Sequence, residues 1–422
     1  MVTYASVSSG VVITGVGLVS PFGTTTEAFR NALLEGRSGL SRVTSFPVEH
    51  CRARQAALVR DFDPAQWIAP MKLRRMDDTG KFALVCSRQA LADARLDVEE
   101  TGRDDVGVVF GTYTAGGQTT NEYLQALWQH GPTGSPALLF NSTVGNAPAS
   151  LVGLEHRLRG PNVTVSQKEA SSLAAIAMAV DLLKAGRAEA LITGGIDSVY
   201  SVFFEVHDSF GVLSSDDSGG ECSRPFDSER NGFVMGEGGF GLVLERSASH
   251  SARNGPEVYG EILGYGAGAQ SVAINAWPDA PESVARVMRL ALDDAGITAD
   301  QIAVVFAAAN SSPGLDCVEA RAIQQVFESH RPLVTSIKGG IGESGCAGAA
   351  AVIAAVVCGG AGVVPPVAGL LEPDACARDL NIVRQPASSP GPLVLVNAIA
   401  SGGAICAMVL RVGERTSEDV LP

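Results

Sequence analysis

The feature that most constrains the fold is the alternation of strand-like and helix-like segments along the whole 422-residue chain. Apolar runs rich in β-branched residues, such as VVITGVGL at 11–18 and VGVVFGT at 106–112, predict buried strands. The same order recurs in the second half, where the helical pattern ESVARVMRLALDDAG precedes the strand-like run IAVVFAAA. Strands that alternate with helices predict mixed or parallel sheets covered by helices, and therefore an α/β fold.

The alternation divides into two similar halves that meet near residue 255. We therefore expect an N-terminal half at 1–255 and a C-terminal half at 256–422. No long Pro/Ser linker separates them, so one compact body is predicted. With 46% hydrophobic and 18% charged residues, the chain has the composition of a globular protein and not of a disordered scaffold.

The formal charge of −14 would repel phosphate backbones, and no basic tract offsets it, so we predict no nucleic-acid binding. One local exception is the segment MKLRRM, which contains Lys72, Arg74 and Arg75. These cations could receive an acidic partner protein, or they could form a solvated helix face.

The eight cysteines show no CxxC pair and no ligand-like spacing with histidine, so we predict reduced, mostly buried thiols and no metal site. The N-terminus has no leader-like segment, and we expect a cytoplasmic protein. Residues 346–371 carry no charge and match a membrane span in length. Glycines from Gly359 onward and Pro365 would end the helix early, so we predict a buried core helix and no membrane contact.

Several segments, in a shared order over nearly the whole chain, resemble β-ketoacyl-acyl carrier protein synthases of the thiolase superfamily. They are VVITGVGLVSPFG, EGRSGL, DFDPAQW with LRRMD, GPNVTVS, SRPFDSERNGFVMGEGG, PGLDCVEA, SIKGGIGESGCAGAA and NAIASGG. The resemblance implies a duplicated thiolase-like fold, layered αβαβα with two mixed sheets. In that family a strand delivers a catalytic cysteine to the N-terminus of a buried helix, and two histidines serve decarboxylation and condensation.

All three catalytic slots of the family hold other residues here. The nucleophile segment resembles GPNxTVSTACxS, and GPNVTVSQKEASS places Glu169 in the cysteine slot; the segments AAANSSPGLD and KGGIGES place Ala308 and Glu343 in the two histidine slots. A carboxylate cannot store an acyl chain as a thioester, and a methyl group cannot form a hydrogen bond. We therefore expect no independent condensing activity, although a carboxylate suits a helix N-terminus because it accepts free N–H groups there.

Other family positions are retained or altered. Lys338 and Glu319 stand where the family pairs a lysine with a glutamate, and we interpret them as a structural pair. Asp316 is expected to fix the turn after Pro313. In NAIASGG the residues 399–401 replace the phenylalanine-containing gate of NxFGFGG. The six histidines fall outside the catalytic slots and are expected to be structural or solvent-facing.

The resemblance extends to chain-length factors of bacterial type II polyketide synthases, which lack the cysteine and pair with an active ketosynthase. Their usual replacement is glutamine, from which Glu169 departs. The resemblance implies a heterodimer with an active ketosynthase subunit, an acyl carrier protein, a growing polyketide chain as ligand, and no cofactor. The implied dimer interface is the strand before the active-site helix, Asn162, Val163, Thr164, Val165 and Ser166.

In the family the growing chain enters a tunnel at the subunit boundary, and side chains after the GTxxxGG segment help to set its depth. The corresponding helical residues here are Thr119, Thr120, Tyr123 and Leu127. Ordinary helix packing is the alternative role for each of them.

Three functions follow from these patterns. The first is a non-catalytic, tunnel-forming subunit of a β-ketoacyl-acyl carrier protein synthase complex, which limits the number of malonyl-derived extensions. The second is a malonyl-carrier-protein decarboxylase that uses Glu169 to generate a primer. The third is a homodimeric protein that binds acyl chains.

Overall fold

The computed structural model describes residues 10–98, 102–216 and 220–413. Within them the strands are β1 (Val11–Val19), β2 (Leu40–Arg42), β3 (Gln55–Ala57), β4 (Val106–Gly111), β5 (Asn162–Val165), β6 (Ala190–Asp197), β7 (Gly238–Arg246), β8 (Gly260–Ala269), β9 (Val304–Phe306), β10 (Leu333–Thr335), β11 (Val363–Val364), β12 (Asn381–Ile382), β13 (Ala387–Ser388), β14 (Leu393–Ile399) and β15 (Ala404–Val412). The α-helices are α1 (Thr26–Leu34), α2 (Pro70–Leu73), α3 (Asp78–Asp93), α4 (Gly117–His130), α5 (Ala147–Glu155), α6 (Ser171–Lys184), α7 (Ser201–Ser209), α8 (Ser247–Ala252), α9 (Pro281–Ala295), α10 (Pro313–Phe327), α11 (Lys338–Ile341) and α12 (Ala347–Gly359).

The main sheet contains eleven of these strands in the order β12-β10-β9-β14-β15-β8-β1-β7-β6-β4-β5. Each half of the chain supplies one side of it, and the sides repeat the same pattern: β4 pairs with β6 in parallel and β6 with β7 in antiparallel orientation, as β9 does with β14 and β14 with β15. The predicted α/β fold with mixed, helix-covered sheets is confirmed.

The two sheets expected from the sequence are continuous at one narrow seam. There β1 pairs with β8 over three residues, from Val11 opposite Ile262 to Ile13 opposite Gly260. The seam joins a strand of the N-terminal half to a strand of the C-terminal half. The division of the chain after residue 255 stays a prediction.

The centre of the molecule is formed by α6 and α12, which pack against each other and against strands of both halves. Small side chains allow this approach: the backbone N–H of Ala349 donates to Ser172 Oγ at 3.0 Å, and a Cβ on Gly348 would lie 3.0 Å from the same oxygen. Almost every residue of α12 is buried, and the helix ends at Gly359, as the sequence predicted. No described helix combines the length and the apolar composition of a membrane span.

Candidate functional site

The cysteine slot of the family lies on the short 3₁₀ turn Lys168–Ala170, between the end of β5 and the start of α6. Glu169 is buried there, with 3% of its surface exposed. Its carboxylate accepts hydrogen bonds from the backbone N–H of Ser401 at 2.9 Å and from Ser401 Oγ at 2.9 Å. The partner is therefore the loop that replaces the family's gate, and not chiefly the first turn of α6 as we expected.

Two physical causes make Glu169 a weaker acid than an ordinary glutamate. Burial, followed by the nearby Glu343 carboxylate, raises the pKa of Glu169 to about 7. The hydrogen bonds from Ser401 oppose that rise. A carboxylate in this position can accept hydrogen bonds and hold a proton, but it has no thiolate chemistry.

The first histidine slot, Ala308, lies just beyond the end of β9 and is completely buried. Its backbone N–H donates to Glu319 Oε1 at 2.8 Å, and its carbonyl accepts from Lys338 Nζ at 2.8 Å. Only its backbone takes part in polar contacts, so this position holds the frame together and offers no acid or base.

The second histidine slot, Glu343, follows α11 and is buried beside Lys338. One of its oxygens, Oε2, accepts from Lys338 Nζ at 2.7 Å and from Asn310 Nδ2 at 2.6 Å. The other accepts from the backbone N–H of Ser344 at 3.0 Å. Burial raises the pKa of the Glu343 carboxyl, and the Lys338 ammonium opposes the rise.

The retained lysine and glutamate are both buried, but their predicted pairing is wrong in detail, because Glu343 supplies the direct partner of Lys338. Glu319 instead accepts from the backbone N–H groups of Ala308 and Ala309, at 2.8 and 2.7 Å, and from Asn397 Nδ2 at 2.9 Å. Burial raises the pKa of Glu319 to about 7, and Lys338 acts on it only as a charge that opposes this rise. Motif comparison kept the lysine–glutamate pair of the family and did not weigh Glu343 as the partner of Lys338, although the two lie only five positions apart.

Asp316 anchors the loop before α10, and not the turn after Pro313 that we expected, because α10 begins at Pro313. Its carboxylate accepts from the backbone N–H groups of Asn310 at 2.9 Å and Phe226 at 2.8 Å, and the Arg230 guanidinium lies 3.4 Å away. Burial raises the pKa of Asp316 to about 6. The residue therefore joins the loop before α10 to the loop that carries Arg230.

The cysteine slot and the second histidine slot line one small cavity. Its volume is about 10 Å³, which is room for about one water molecule. The lining residues are Tyr113, Thr114, Glu169, Phe203, His207, Phe233, Met235, Gly236, Glu343, Ser344 and Gly345. Aromatic rings fill much of the surrounding space, with Tyr113 4.9 Å from Phe203 and Phe233 6.2 Å from Trp277 between ring centroids.

His207 is a cavity residue that motif comparison missed, because it lies outside the family's catalytic segments. Its Nδ1 is 2.8 Å from the carbonyl oxygen of Phe203, one turn earlier on α7. Burial lowers the pKa of His207, so the neutral ring is favoured. The contact with the helix backbone agrees with a structural role.

The four predicted tunnel residues all lie on α4, but none of them lines the cavity at Glu169. The hydroxyl of Thr119 donates to Asp77 Oδ2 at 3.1 Å, and that of Thr120 donates to the carbonyl of Thr143 at 2.9 Å. Tyr123 packs edge-on against Phe140, with 5.7 Å between ring centroids, and Leu127 is half-buried. A role of these residues in a tunnel stays a prediction.

Beside Tyr123, α4 and the segment after it expose an unusual amount of apolar surface, which we call the α4 face. Its members are Leu124, Trp128, Leu138, Phe140 and Val144, each at least half exposed. Trp128 is 92% exposed. Contiguous apolar surface of this kind marks interaction sites on proteins.

The predicted interface strand is observed as β5, with Ser166 just beyond its end. It pairs in parallel with β4 on one side and stands last in the order of the main sheet. Its outer edge is therefore free to pair with another strand in the part of the chain that the structure describes.

The basic segment splits into two environments. Lys72 Nζ pairs with Glu155 Oε2 at 2.5 Å, whereas Arg74 and Arg75 are exposed. The two arginines thus remain candidates for an acidic partner.

The prediction that all cysteines are reduced is wrong for one pair, since Cys317 and Cys376 form a disulfide. The fold brings α10 and a turn 59 residues later together, a proximity that sequence spacing cannot reveal. Arg230 Nη2 lies 3.2 Å from Cys317 Sγ and its Nη1 lies 2.9 Å from Asp374. The other cysteines are free, and all but the half-buried Cys222 are buried.

Comparison with known proteins agrees with this geometry. Residues 8–250 match the family model of the β-ketoacyl synthase N-terminal domain, and residues 259–370 match that of the C-terminal domain. The chain therefore belongs to the β-ketoacyl synthase family.

Its relatives include 3-oxoacyl-(acyl-carrier-protein) synthases and ketoacyl synthases with polyketide names. The chain is 32% identical to 3-oxoacyl-(acyl-carrier-protein) synthase 2 of Synechocystis sp., over 86% of this chain and 88% of that protein. It is 33% identical to the actinorhodin polyketide putative beta-ketoacyl synthase 2 of Streptomyces coelicolor, over 95% and 98%. The solved ishigamide ketosynthase/chain length factor superposes with a TM-score of 0.88 at 29% identity, over 96% of this chain and 99% of that one, which confirms the thiolase-like ketosynthase fold.

Proposed function

We propose that this protein is the chain-length factor of a bacterial type II polyketide synthase. In this role it is a non-catalytic subunit that pairs with an active ketosynthase and shapes the tunnel in which a carrier-bound chain is extended. The observation that carries the proposal is the filled catalytic site. Glu169 is bonded to Ser401, Glu343 is bonded to Lys338, and the cavity between the two carboxylates has about 10 Å³ of space.

Relatives named 3-oxoacyl-(acyl-carrier-protein) synthase 2 are about as similar in sequence as the polyketide relatives, so identity alone does not separate an active synthase from a non-catalytic subunit. The loss of all three catalytic groups does favour the role of a non-catalytic subunit. Nucleophile, base and oxyanion donors act as a unit in such enzymes, and a chain that lacks the nucleophile and both imidazoles has nothing with which to condense.

Two surfaces support a role in assembly. The free edge of β5 offers backbone N–H and C=O groups to a partner strand, and the α4 face offers apolar area. Tyr123 packs against Phe140 of that face, so a partner seated on it would bring Tyr123 to the subunit boundary. The boundary is where the tunnel of the resembled complexes lies.

The first experiment is co-expression with candidate cysteine-containing ketosynthases. A stable one-to-one complex in size-exclusion chromatography with light scattering is the expected result. A self-sufficient homodimer that ignores every ketosynthase would contradict the proposal and favour an acyl-binding protein.

The second experiment tests the tunnel. Tyr123→Ala should lengthen the product of the reconstituted complex by opening space, and Tyr123→Trp should shorten it, as measured by mass spectrometry of carrier-bound intermediates. Gln125→Ala on the same helix should leave product length unchanged. The same product from all variants, in complexes that still assemble, would rule out a tunnel role for Tyr123.

The exposed pair Arg74 and Arg75 is the proposed contact for the acidic carrier protein. Reversing both charges, Arg74→Glu with Arg75→Glu, should weaken carrier binding most strongly at low salt. The matched control is Arg187→Glu, an exposed arginine after α6. Equal binding by both variants would remove the segment from the interface.

One observation favours a second function, malonyl decarboxylation. The raised pKa of Glu169 lets this carboxyl hold a proton near neutral pH. The test is release of carbon dioxide from malonyl-carrier protein by a complex whose ketosynthase partner is inactivated at its cysteine. If this complex releases carbon dioxide and the same complex with Glu169→Ala does not, the decarboxylase activity is established. No release under these conditions would leave the architectural function alone.

A further inference from the structure

The disulfide between Cys317 and Cys376 differs from the free cysteines in how far it is open to solvent. Both of its residues are half-buried, whereas every free cysteine of the described chain except Cys222 is buried. Burial raises the pKa of Cys86 and of Cys358 to about 12, so these thiols stay protonated and unreactive. The disulfide is therefore within reach of small reagents that the buried thiols exclude.

The buried Arg230 guanidinium lies against this disulfide. Its Nη2 is 3.2 Å from Cys317 Sγ and 3.9 Å from Cys376 Sγ. The side chain is 3% exposed, and it donates to the carbonyls of Asp227 at 2.7 Å and Pro313 at 3.1 Å, which fix its position. A fixed cation beside a sulfur favours the thiolate form. Once the bond is reduced, Cys317 is the better placed of the two to become the thiolate.

Two carboxylates also face Arg230, and their charges oppose a thiolate. Asp374 Oδ1 lies 3.9 Å from Cys317 Sγ and accepts from the backbone N–H of Cys376 at 2.9 Å, while Oδ2 pairs with Arg230 Nη1 at 2.9 Å. Asp316 lies 3.4 Å from Arg230 Nε and accepts from two backbone N–H groups. Both carboxylates thus have donors of their own, and the guanidinium is nearer to Cys317 Sγ than the Asp374 carboxylate is.

The same atoms could hold a metal ion after reduction, because the two sulfurs and the Asp374 carboxylate lie within 4.8 Å of one another. Arg230 argues against a metal, since its guanidinium already brings a positive charge to Cys317 Sγ and to Asp374. A thiolate that accepts from this guanidinium fits the cluster without a further cation.

The two thiols stay close together without the covalent bond, because one residue holds both chain segments. The N–H of Phe226 donates to Asp316 Oδ2 of α10 at 2.8 Å, and its carbonyl accepts from the N–H of Asp374 at 2.8 Å. Asp227 Oδ2 also accepts from two backbone N–H groups just before Asp374, at 2.7 and 2.9 Å. Reduction therefore leaves Cys376 in position to form the bond again, since a thiol held nearby has a high effective concentration.

We propose that Cys317 and Cys376 form a reversible thiol–disulfide exchange site for small-molecule thiols and disulfides, in which the Cys317 thiolate reacts first. In the oxidising direction this thiolate attacks one sulfur of a small disulfide, and the other half leaves as a thiolate. Cys376 then gives its proton to that thiolate and attacks Cys317 Sγ, so that the protein disulfide forms and the second half leaves. The small disulfide gains the two electrons that the two cysteines lose. The site does not depend on the proposed function.

Reduction of the full chain under native conditions tests reversibility. Dithiothreitol without denaturant should convert both cysteines to thiols that N-ethylmaleimide labels, and glutathione disulfide should then restore the bond, as read by peptide mass spectrometry. Cys86, buried in α3, is the internal control and should stay unlabelled throughout. A bond that dithiothreitol reduces only in urea would overturn the proposal, because no small thiol would then reach it in the folded chain.

Single-cysteine variants of the pair test the order of attack. After reduction, glutathione disulfide should form a mixed disulfide with Cys317 in Cys376→Ser about ten times faster than with Cys376 in Cys317→Ser, the effect of roughly one hydrogen bond to a charged group. The half-buried Cys222, which both variants retain, gives the reference rate in the same digests. Equal rates, or faster reaction of Cys376, would overturn the role of Cys317.

The role of the guanidinium is tested in the Cys376→Ser chain. Arg230→Gln should slow formation of the mixed disulfide at Cys317 about tenfold, and Arg230→Lys, which keeps the charge, should restore most of the rate. Loss of folding would instead speed the reactions of Cys317 and Cys86 together, so a slower rate cannot come from unfolding. An unchanged rate in Arg230→Gln would overturn the activation of Cys317 by Arg230.

Zinc distinguishes the exchange site from a metal site. One equivalent of zinc added to the reduced wild type should leave labelling of Cys317 and Cys376 by N-ethylmaleimide unchanged. Protection of both thiols by zinc, lost in Asp374→Asn, would assign the cluster to a metal and overturn the proposal.

Discussion

The buried catalytic site and the α4 face differ in how completely their side chains are satisfied. Inside, Glu169, Glu319 and Glu343 all accept hydrogen bonds from named donors, and the cavity that Glu169 and Glu343 line is nearly filled. On the α4 face, Trp128 is 92% exposed. The contrast teaches that the substituted residues in the interior have hydrogen-bond partners within the chain. The exposed apolar side chains lie on the outside, where a partner protein can cover them.

The largest expected effect tests the interior. Lys338→Met leaves Glu343 buried without its cation and should lower the free energy of unfolding by about 3–5 kcal/mol. Urea denaturation followed by circular dichroism measures it. The double variant Lys338→Met with Glu343→Met should recover much of the loss, because no charge is then left unpaired. If Lys338→Met is as stable as the exposed-site control Lys184→Met, the buried ion pair does not stabilise the interior and the comparison with the α4 face fails.

A somewhat smaller effect is expected at the border of the buried site, where the disulfide ties down the helix that carries Asp316 and Glu319. Cys317→Ser should lower stability by about 2–4 kcal/mol under non-reducing conditions, since the bond closes a long loop in the unfolded chain. The wild type in reductant should match the variant. Cys222→Ser changes a free cysteine and should have little effect; equal stability of wild type and Cys317→Ser without reductant would argue against the bond.

The pH dependence of stability sharpens the view of Glu169. Its pKa is raised from 4.5 to about 7 in the folded chain, so the folded state keeps a proton that the unfolded state releases between these values. The contribution of Glu169 to the free energy of unfolding therefore falls as the pH rises through that window, and this contribution stays constant at higher pH. Relative to the wild type, Glu169→Gln should gain on the order of 3 kcal/mol between about pH 4.5 and pH 8, since each pKa unit corresponds to about 1.4 kcal/mol.

Thermal and urea unfolding at a series of pH values measure this difference. Glu205→Gln, at a side chain that is 41% exposed, is the control and should follow the wild-type curve. A difference between Glu169→Gln and wild type that does not vary with pH would show that the buried carboxyl titrates normally.

The smallest effect on stability is expected on the α4 face. Trp128→Ser removes an exposed ring and should change the free energy of unfolding by less than about 0.5 kcal/mol. The same change should weaken the proposed complex at least about tenfold, because exposed aromatic residues are common anchors of interfaces. Leu371→Ser, at a residue that is 69% exposed elsewhere, should affect neither quantity. A large loss of folding stability in Trp128→Ser would show that this face contributes to the core and is not a free surface.

The sequence predicted the architecture well because strands and helices are local patterns. The alternation of elements, the buried helix α12 and the strand before the cysteine slot all correspond to observed elements. The motifs also identified Glu169 and Glu343 as slots of one site, and the structure places both at a single cavity.

What the sequence missed depends on contacts between distant residues. Ser401, for example, lies 232 positions from Glu169. The sequence also did not reveal the disulfide or the position of His207 on the cavity wall. Such pairings follow from tertiary packing, which no local pattern encodes.

The edge strand β5 has a consequence for the life of the protein in a cell. An edge strand with one unpaired side, in a chain that also exposes apolar side chains, is a template for aggregation and a target for chaperones and proteases. If the protein is the proposed chain-length factor, a copy made without its ketosynthase partner would therefore be an orphan with a short lifetime. Its abundance would be set by the supply of the other subunit, and synthesis of the two chains in equal numbers would serve as quality control for the assembly.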